Sequence, residues 1–157
     1  MRNYIGRDRF FQIAGLILLI LIMFTSLGGY AKSLYEFNTL NNVIGALLFA
    51  FSLVFRIWAH IVIDTSYSPT LEVRIDHRLI KYGPYKYIRH PIYTGTIIAV
   101  IAIPIFTSSI VGFVLSLRSI PLLEHRIKNE EMMLIEEYGD EYREYQESTW
   151  KLVPWVY

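Results

Sequence analysis

Two long stretches of this chain carry almost no charge. Phe10 to Phe55 is 46 residues long and holds only Lys32 and Glu36. Ile92 to Leu117 is 26 residues long and holds none. The remaining 85 residues carry 27 charges. A water-soluble domain needs polar side chains interleaved along its helices to make an outer face. These stretches have no such face. The pattern excludes a soluble globular domain and a disordered chain. It predicts an all-α, integral membrane helical bundle with a concentrated aqueous part.

The spans follow from length. Phe10 to Tyr30 can cross about 30 Å of hydrocarbon, and it reads as a retained first span rather than a cleaved leader. A second apolar stretch runs from Asn41 to Ile63, where Arg56, Trp58 and His60 suit an end emerging among headgroups. Ile92 to Leu117 is long for one upright span and short for two. Pro104 near its middle, followed by Thr107, Ser108 and Ser109, predicts a helical hairpin broken there. The alternative is one tilted, kinked span. The expected organisation is a single membrane-embedded domain over 1–157. Its spans lie at about 10–30, 41–63, 91–103 and 108–124, with C-terminal helices over 124–148.

Charge sets the sides. Arg2, Arg7 and Arg9 precede the first span, and Arg74, Arg78, Lys81, Lys86 and Arg89 fill the central loop. Positive loops stay cytoplasmic. Four crossings then place both termini and the central loop in the cytoplasm. In the tail, Gly139 predicts a break and Asp140 a cap for a short last helix. The apolar, aromatic end from Trp150 suits an interfacial segment.

Other totals narrow the chemistry. A net charge of +1 gives no field for nucleic acid. With no cysteine there is no disulfide, thiolate metal site or cysteine nucleophile, and no metal is expected. No obligate protein partner is evident; membrane lipid is the expected surrounding.

The central loop is where chemistry concentrates. Gly83-Pro84 is a turn signal, and Pro91 fits the first turn of a helix. That helix start would present free N–H groups beside Arg89 and His90, a place for a carboxylate or other polar ligand group. Tyr93 and Gly95 would let a flat ligand approach the backbone. The same residues also suit duller roles: basic topology markers, an aromatic belt of Tyr82, Tyr85 and Tyr87, and a capping histidine. In the tail, Arg126 and Glu130 are four apart on one helix face. This is either a surface pair or a cation and carboxylate poised near the membrane for an anionic acceptor and a ligand ammonium.

Gly83-Pro84-Tyr85, Arg89-His90-Pro91-x-Tyr93-x-Gly95, Arg126-x3-Glu130-Glu131-x2-Leu134 and Tyr138-Gly139-x2-Tyr142-x2-Tyr145 occur in that order, with a late Pro154. Together they resemble the isoprenylcysteine carboxyl methyltransferase family and its relatives, the phospholipid methyltransferases. The likeness covers Arg56 to Trp155. It implies a membrane enzyme using S-adenosylmethionine, with a cofactor loop over 70–95. Carried over by position, the cofactor would meet His77, Arg78, Leu79, Ile80, Tyr85, His90, Pro91, Ile92, Tyr93 and Glu130. Arg126 would be catalytic and bind the acceptor. Thr70 and Ser148 stand where family members can carry glutamine and arginine. Arg143 or Lys151 would then supply the missing cation, and Arg143 is taken as the second catalytic candidate.

The implied reaction is carboxyl O-methylation of an isoprenylcysteine-like, lipophilic or prenylated acceptor. The expected location is a microbial cell membrane, or the endoplasmic reticulum in a eukaryote. Phospholipid N-methylation is the alternative within the same chemistry. A nicotinamide-dependent, sterol-reductase-like enzyme is an alternative from another class, and a non-catalytic membrane module is a third.

Overall fold

A computed structural model describes residues 2–33, 39–63 and 79–155 of the chain. Six α-helices account for most of them: α1 (Arg2–Ser33), α2 (Thr39–Ile63), α3 (Pro91–Phe106), α4 (Ile110–Leu117), α5 (Ser119–Tyr138) and α6 (Asp140–Ser148). A single turn of 3-10 helix (Gly83–Lys86) precedes α3. Among the described residues the only β feature is an isolated parallel bridge between Ile88 and Trp150.

The burial pattern is inverted relative to a soluble bundle. Along α2 the buried positions are Gly45, Ser52 and Ala59, each seven residues apart. Leu40, Val43, Leu47, Phe51, Val54, Ile57 and Ile61 are exposed. Small residues facing inward let backbones approach closely, and large apolar residues facing outward suit a lipid solvent. Buried Ser26, Ser109 and Ser116 extend the same pattern to α1 and α4. The protein is an all-α membrane helical bundle. One described helix, Leu40–Ile63, is long and apolar enough to cross a membrane, and Ile13–Gly28 and Pro91–Phe106 are shorter apolar helices.

The described chain divides into two compact units. One is Met1–Leu53 with Thr96–Arg126. Within it, α1 packs on α4. A Cβ at Gly112 would lie 2.7 Å from Ser26 Oγ, and one at Gly45 would collide with the backbone of Phe106. The α3–α4 turn is fastened by polar groups. Asn42 Nδ2 donates to Phe106 O at 2.6 Å and Asn41 Nδ2 to Ser108 Oγ at 3.1 Å. Ser109 accepts from Gly112 N–H as the cap of α4, and its hydroxyl donates to Thr25 O. Buried backbone groups freed by a turn need such partners in lipid.

The hairpin expected around Pro104 is present, but its turn falls later. Helix α3 runs through the buried Pro104 to Phe106, and the chain reverses at 107–109. Proline removes one helical hydrogen bond, and here the helix has only two residues left to run. The following helix also differs. Instead of continuing past Arg118 it ends at Leu117, and α5 begins at Ser119.

The second unit is Val54–Gly95 with Ile127–Tyr157. Gly83, at φ +62, makes the turn below α2, where a Cβ would press on Val62 at 3.0 Å. Gly139, at φ +56, separates α5 from α6 as expected. It is also the N-cap, so Asp140 is not the cap; it occupies the first helical position with Glu141 beside it. Acidic side chains there favour the helix through its dipole.

Candidate active site

Helix α3 begins at a proline because the preceding chain is held extended. The carbonyl of His90 accepts the first helical bond, from Thr94 N–H at 3.0 Å, and Pro91 follows where its absent donor is not needed. His90 is 4% exposed. Its Nε2 lies 3.2 Å from Glu131 Oε1 on α5. The same oxygen accepts from Arg89 Nε at 3.0 Å. In the first turn of α3, Tyr93 donates its hydroxyl to Glu130 Oε2 at 2.8 Å. The rings of His90 and Tyr93 are 5.8 Å apart.

The two neighbouring glutamates therefore point at different partners. Successive helical residues diverge by about 100° around the axis. Glu130 is half-buried and meets a tyrosine, whereas Glu131 is buried and meets two basic groups. Burial alone would raise the Glu131 carboxyl. The hydrogen bond and charge of His90, then those of Arg89, outweigh it and bring the value from 4.5 to about 2. Glu131 is a fixed anion at neutral pH.

Tyrosines of α6 close the unit. Tyr145 is buried and donates to the Tyr85 carbonyl at 2.6 Å, which fastens the 3-10 turn. Tyr142, also buried, sets its ring 5.9 Å from that of Tyr145 at a 60° tilt, and its hydroxyl has no hydrogen-bond partner among the described residues. Burial pushes the Tyr142 hydroxyl strongly up; the Glu131 charge adds to this and Arg89 opposes it.

Of the candidate residues, Tyr85, His90, Pro91, Ile92, Tyr93 and Glu130 all belong to this unit. Tyr85 and Pro91 are buried, and Ile92 and Tyr93 half-buried. Leu79 and Ile80 are half-buried in the stretch leading to the turn. His77 and Arg78 lie outside the described residues, as does Thr70. Arg126 is half-buried on α5, one turn before Glu130. Arg143 is 64% exposed, and its described partner is Asp140 on its own helix at 3.8 Å. It does not join the group around His90. The main-chain carbonyl of Lys151 accepts from His90 N–H.

Arg89 and Glu131 belong to the sequence motifs but have no place among the cofactor or catalytic candidates, yet they sit at the centre of the network. Their adjacency to His90 and Glu130 was the available signal. Among the described residues no cluster could hold a metal ion.

In this unit a half-buried carboxylate, Glu130, holds a tyrosine hydroxyl beside the first turn of a helix, an arrangement that can accept a cationic or hydrogen-bond-donating ligand group.

Comparisons with known proteins place the chain in a family. The Protein-S-isoprenylcysteine O-methyltransferase of Dictyostelium discoideum is 30% identical over 119 residues, 73% of this chain and 49% of that protein. Methanethiol S-methyltransferase 1 of Bradyrhizobium diazoefficiens is 41% identical over 71 residues, 45% of this chain and 24% of that one. The chain thus spans about half, or less, of the length of these relatives. A solved structure of the eukaryotic intramembrane Ras methyltransferase, isoprenylcysteine carboxyl methyltransferase, shares the fold. Its TM-score is 0.77 at 24% identity, over 87% of this chain and 52% of that one. The sequence model of the isoprenylcysteine carboxyl methyltransferase (ICMT) family matches residues 43–136, more than half of the chain, and the chain belongs to that family.

Proposed function

We propose that the chain is an integral membrane methyltransferase that uses S-adenosylmethionine. Its acceptor is lipophilic, and the reaction is carboxyl O-methylation of an isoprenylcysteine-like substrate. The observation that carries the reading is the Tyr93–Glu130 contact at 2.8 Å beside the buried His90. It brings two of the family motifs together as one ligand-facing group.

The cofactor, when bound, supplies a methyl group on a cationic sulfur that departs as a neutral thioether. The chain's part is to bind, orient and exclude water, and positioning alone can lower such a barrier by several kcal/mol. Glu130 accepts from the ligand ammonium, with Tyr93 holding the carboxylate in place. Tyr85, Ile92, Leu79 and Ile80 add aromatic and apolar wall; His77 and Arg78, outside the described residues, are cofactor candidates by family position alone. Arg126 receives the acceptor carboxylate. That group is nucleophilic without deprotonation, so no general base is required. Arg143, exposed on α6 and outside the group around His90, is the second candidate cation by the family's pattern alone.

The charge distribution supports a multi-pass topology with both termini and the central loop cytoplasmic. The whole chain would act as one membrane-embedded domain, surrounded by lipid.

The identity to a methanethiol S-methyltransferase favours a second reading, in which the acceptor is a thiol. Labelled S-adenosylmethionine with a panel of acceptors separates the cases. A carboxyl ester releases its label in base; a methylated thiol or a methylated phospholipid amine does not. The expected product is base-labile, and label found only in thioether would move the assignment to the second reading. Label in neither class would remove both.

A further inference from the structure

We propose that Arg89 and Glu131 are positioning residues, a buried clamp that sets where His90 and Tyr93 are presented. This rests on the reading of the unit as a cofactor site.

Arg89 joins three stretches distant in sequence. Its Nε donates to Glu131 in the middle of α5, and its Nη1 to the carbonyls of Gln146, at 2.9 Å, and Thr149, at the end of α6. The last carbonyls of a helix lack intrahelical donors, and a cation there is favourable. The planar guanidinium directs N–H groups on separate nitrogens at a carboxylate and at two carbonyls in a fixed fork, a geometry that the single ammonium nitrogen of a lysine does not reproduce.

The main chain follows the same connection. Arg89 N–H donates to Trp150 O at 2.8 Å, His90 N–H to Lys151 O at 3.2 Å, and Trp150 N–H to Tyr87 O at 3.0 Å. Thr94 Oγ1 adds a bond to Leu152 O at 2.7 Å. Residues 149–152 are thus zipped along the lead-in to α3. The Arg89 and Glu131 side chains are only 10% and 11% exposed. One Glu131 oxygen is shared between Arg89 and His90, and a ligand that took it would leave both basic groups without their anion. Such a site is held by groups that never touch the ligand.

The test uses the full chain in detergent, with Arg89→Ala, Glu131→Ala, their double variant and Arg89→Lys. S-adenosylhomocysteine affinity is measured by calorimetry, and amide exchange of 87–94 and 149–152 by mass spectrometry without ligand. Each alanine variant should weaken affinity on the order of tenfold or more. The double variant should be no worse than the weaker single, because the two act as a unit. Exchange should quicken in both segments in every alanine variant, and Arg89→Lys should recover only part of either property. Additive losses of affinity would overturn the proposal. So would unchanged exchange in 149–152 when Glu131 is replaced, or a lowered Tm with wild-type affinity in the folded fraction. A wild-type chain that bound no S-adenosylhomocysteine would refute the cofactor reading, and the exchange pattern would still decide the clamp.

Discussion

The hydroxyl of Tyr93, in the first turn of α3, donates to Glu130 of α5 across 2.8 Å. The partners are 37 residues apart in sequence. The contact exists because Pro91 starts α3 at a fixed place and because α5 turns Glu130, rather than Glu131, toward it. Tyr93→Phe removes one hydrogen bond but leaves the ring and the carboxylate. It should raise the KM for S-adenosylmethionine by roughly three- to tenfold, equivalent to about 1 kcal/mol, with little change in Tm. Steady-state kinetics at saturating acceptor reads this out.

Tyr142 and Tyr145 should respond oppositely to the same substitution. Tyr145→Phe strips the buried Tyr85 carbonyl of its donor and should cost about 1–2 kcal/mol. Tyr142→Phe deletes a buried hydroxyl without a partner among the described residues and should be neutral or slightly stabilising. Thermal unfolding of the two variants in the same detergent compares them directly.

Acid should weaken the second unit through Glu131. Its carboxyl titrates lower when folded than the ordinary 4.5, at about 2. The stabilisation is therefore complete above about pH 4.5 and is lost as pH falls toward 2, an effect on the order of a few kcal/mol. Glu131→Gln should be less stable at neutral pH and should flatten that dependence. Tm measured from pH 6 to pH 2.5 tests the slope, and parallel curves for wild type and variant would contradict it.

Gly45→Leu should be strongly destabilising, since even a Cβ collides with the Phe106 backbone. A cost of about 3 kcal/mol or more is expected where close helix approach is blocked. Gly28, whose Cβ would meet nothing within 4 Å, gives the matched control Gly28→Leu. Retained folded yield in detergent separates them.

Much of this was legible in the sequence, for physical reasons. The charge-free stretches announce lipid-facing helices, because they leave no polar face to meet water. Gly139 and Pro91 mark helix ends through their own backbone chemistry. The position of the α3–α4 turn was less legible. Pro104 signals a break, yet the turn is set by Asn41, Asn42 and Thr25, which reach it from helices remote in sequence. The division between Glu130 and Glu131 was hidden for a related reason. Both are glutamates on one helix, and only the partners brought by α3 distinguish them. Arg89 resembled a topology charge until its contacts with Gln146 and Thr149 were seen.

The most direct measurement is a calorimetric titration of the full chain with S-adenosylhomocysteine, beside Glu130→Gln and a parallel titration with NADPH. Wild type should bind S-adenosylhomocysteine and not NADPH, and Glu130→Gln should bind at least about tenfold more weakly at an unchanged Tm. Binding of NADPH, or equal affinity for S-adenosylhomocysteine in wild type and Glu130→Gln, would contradict the assignment of this site.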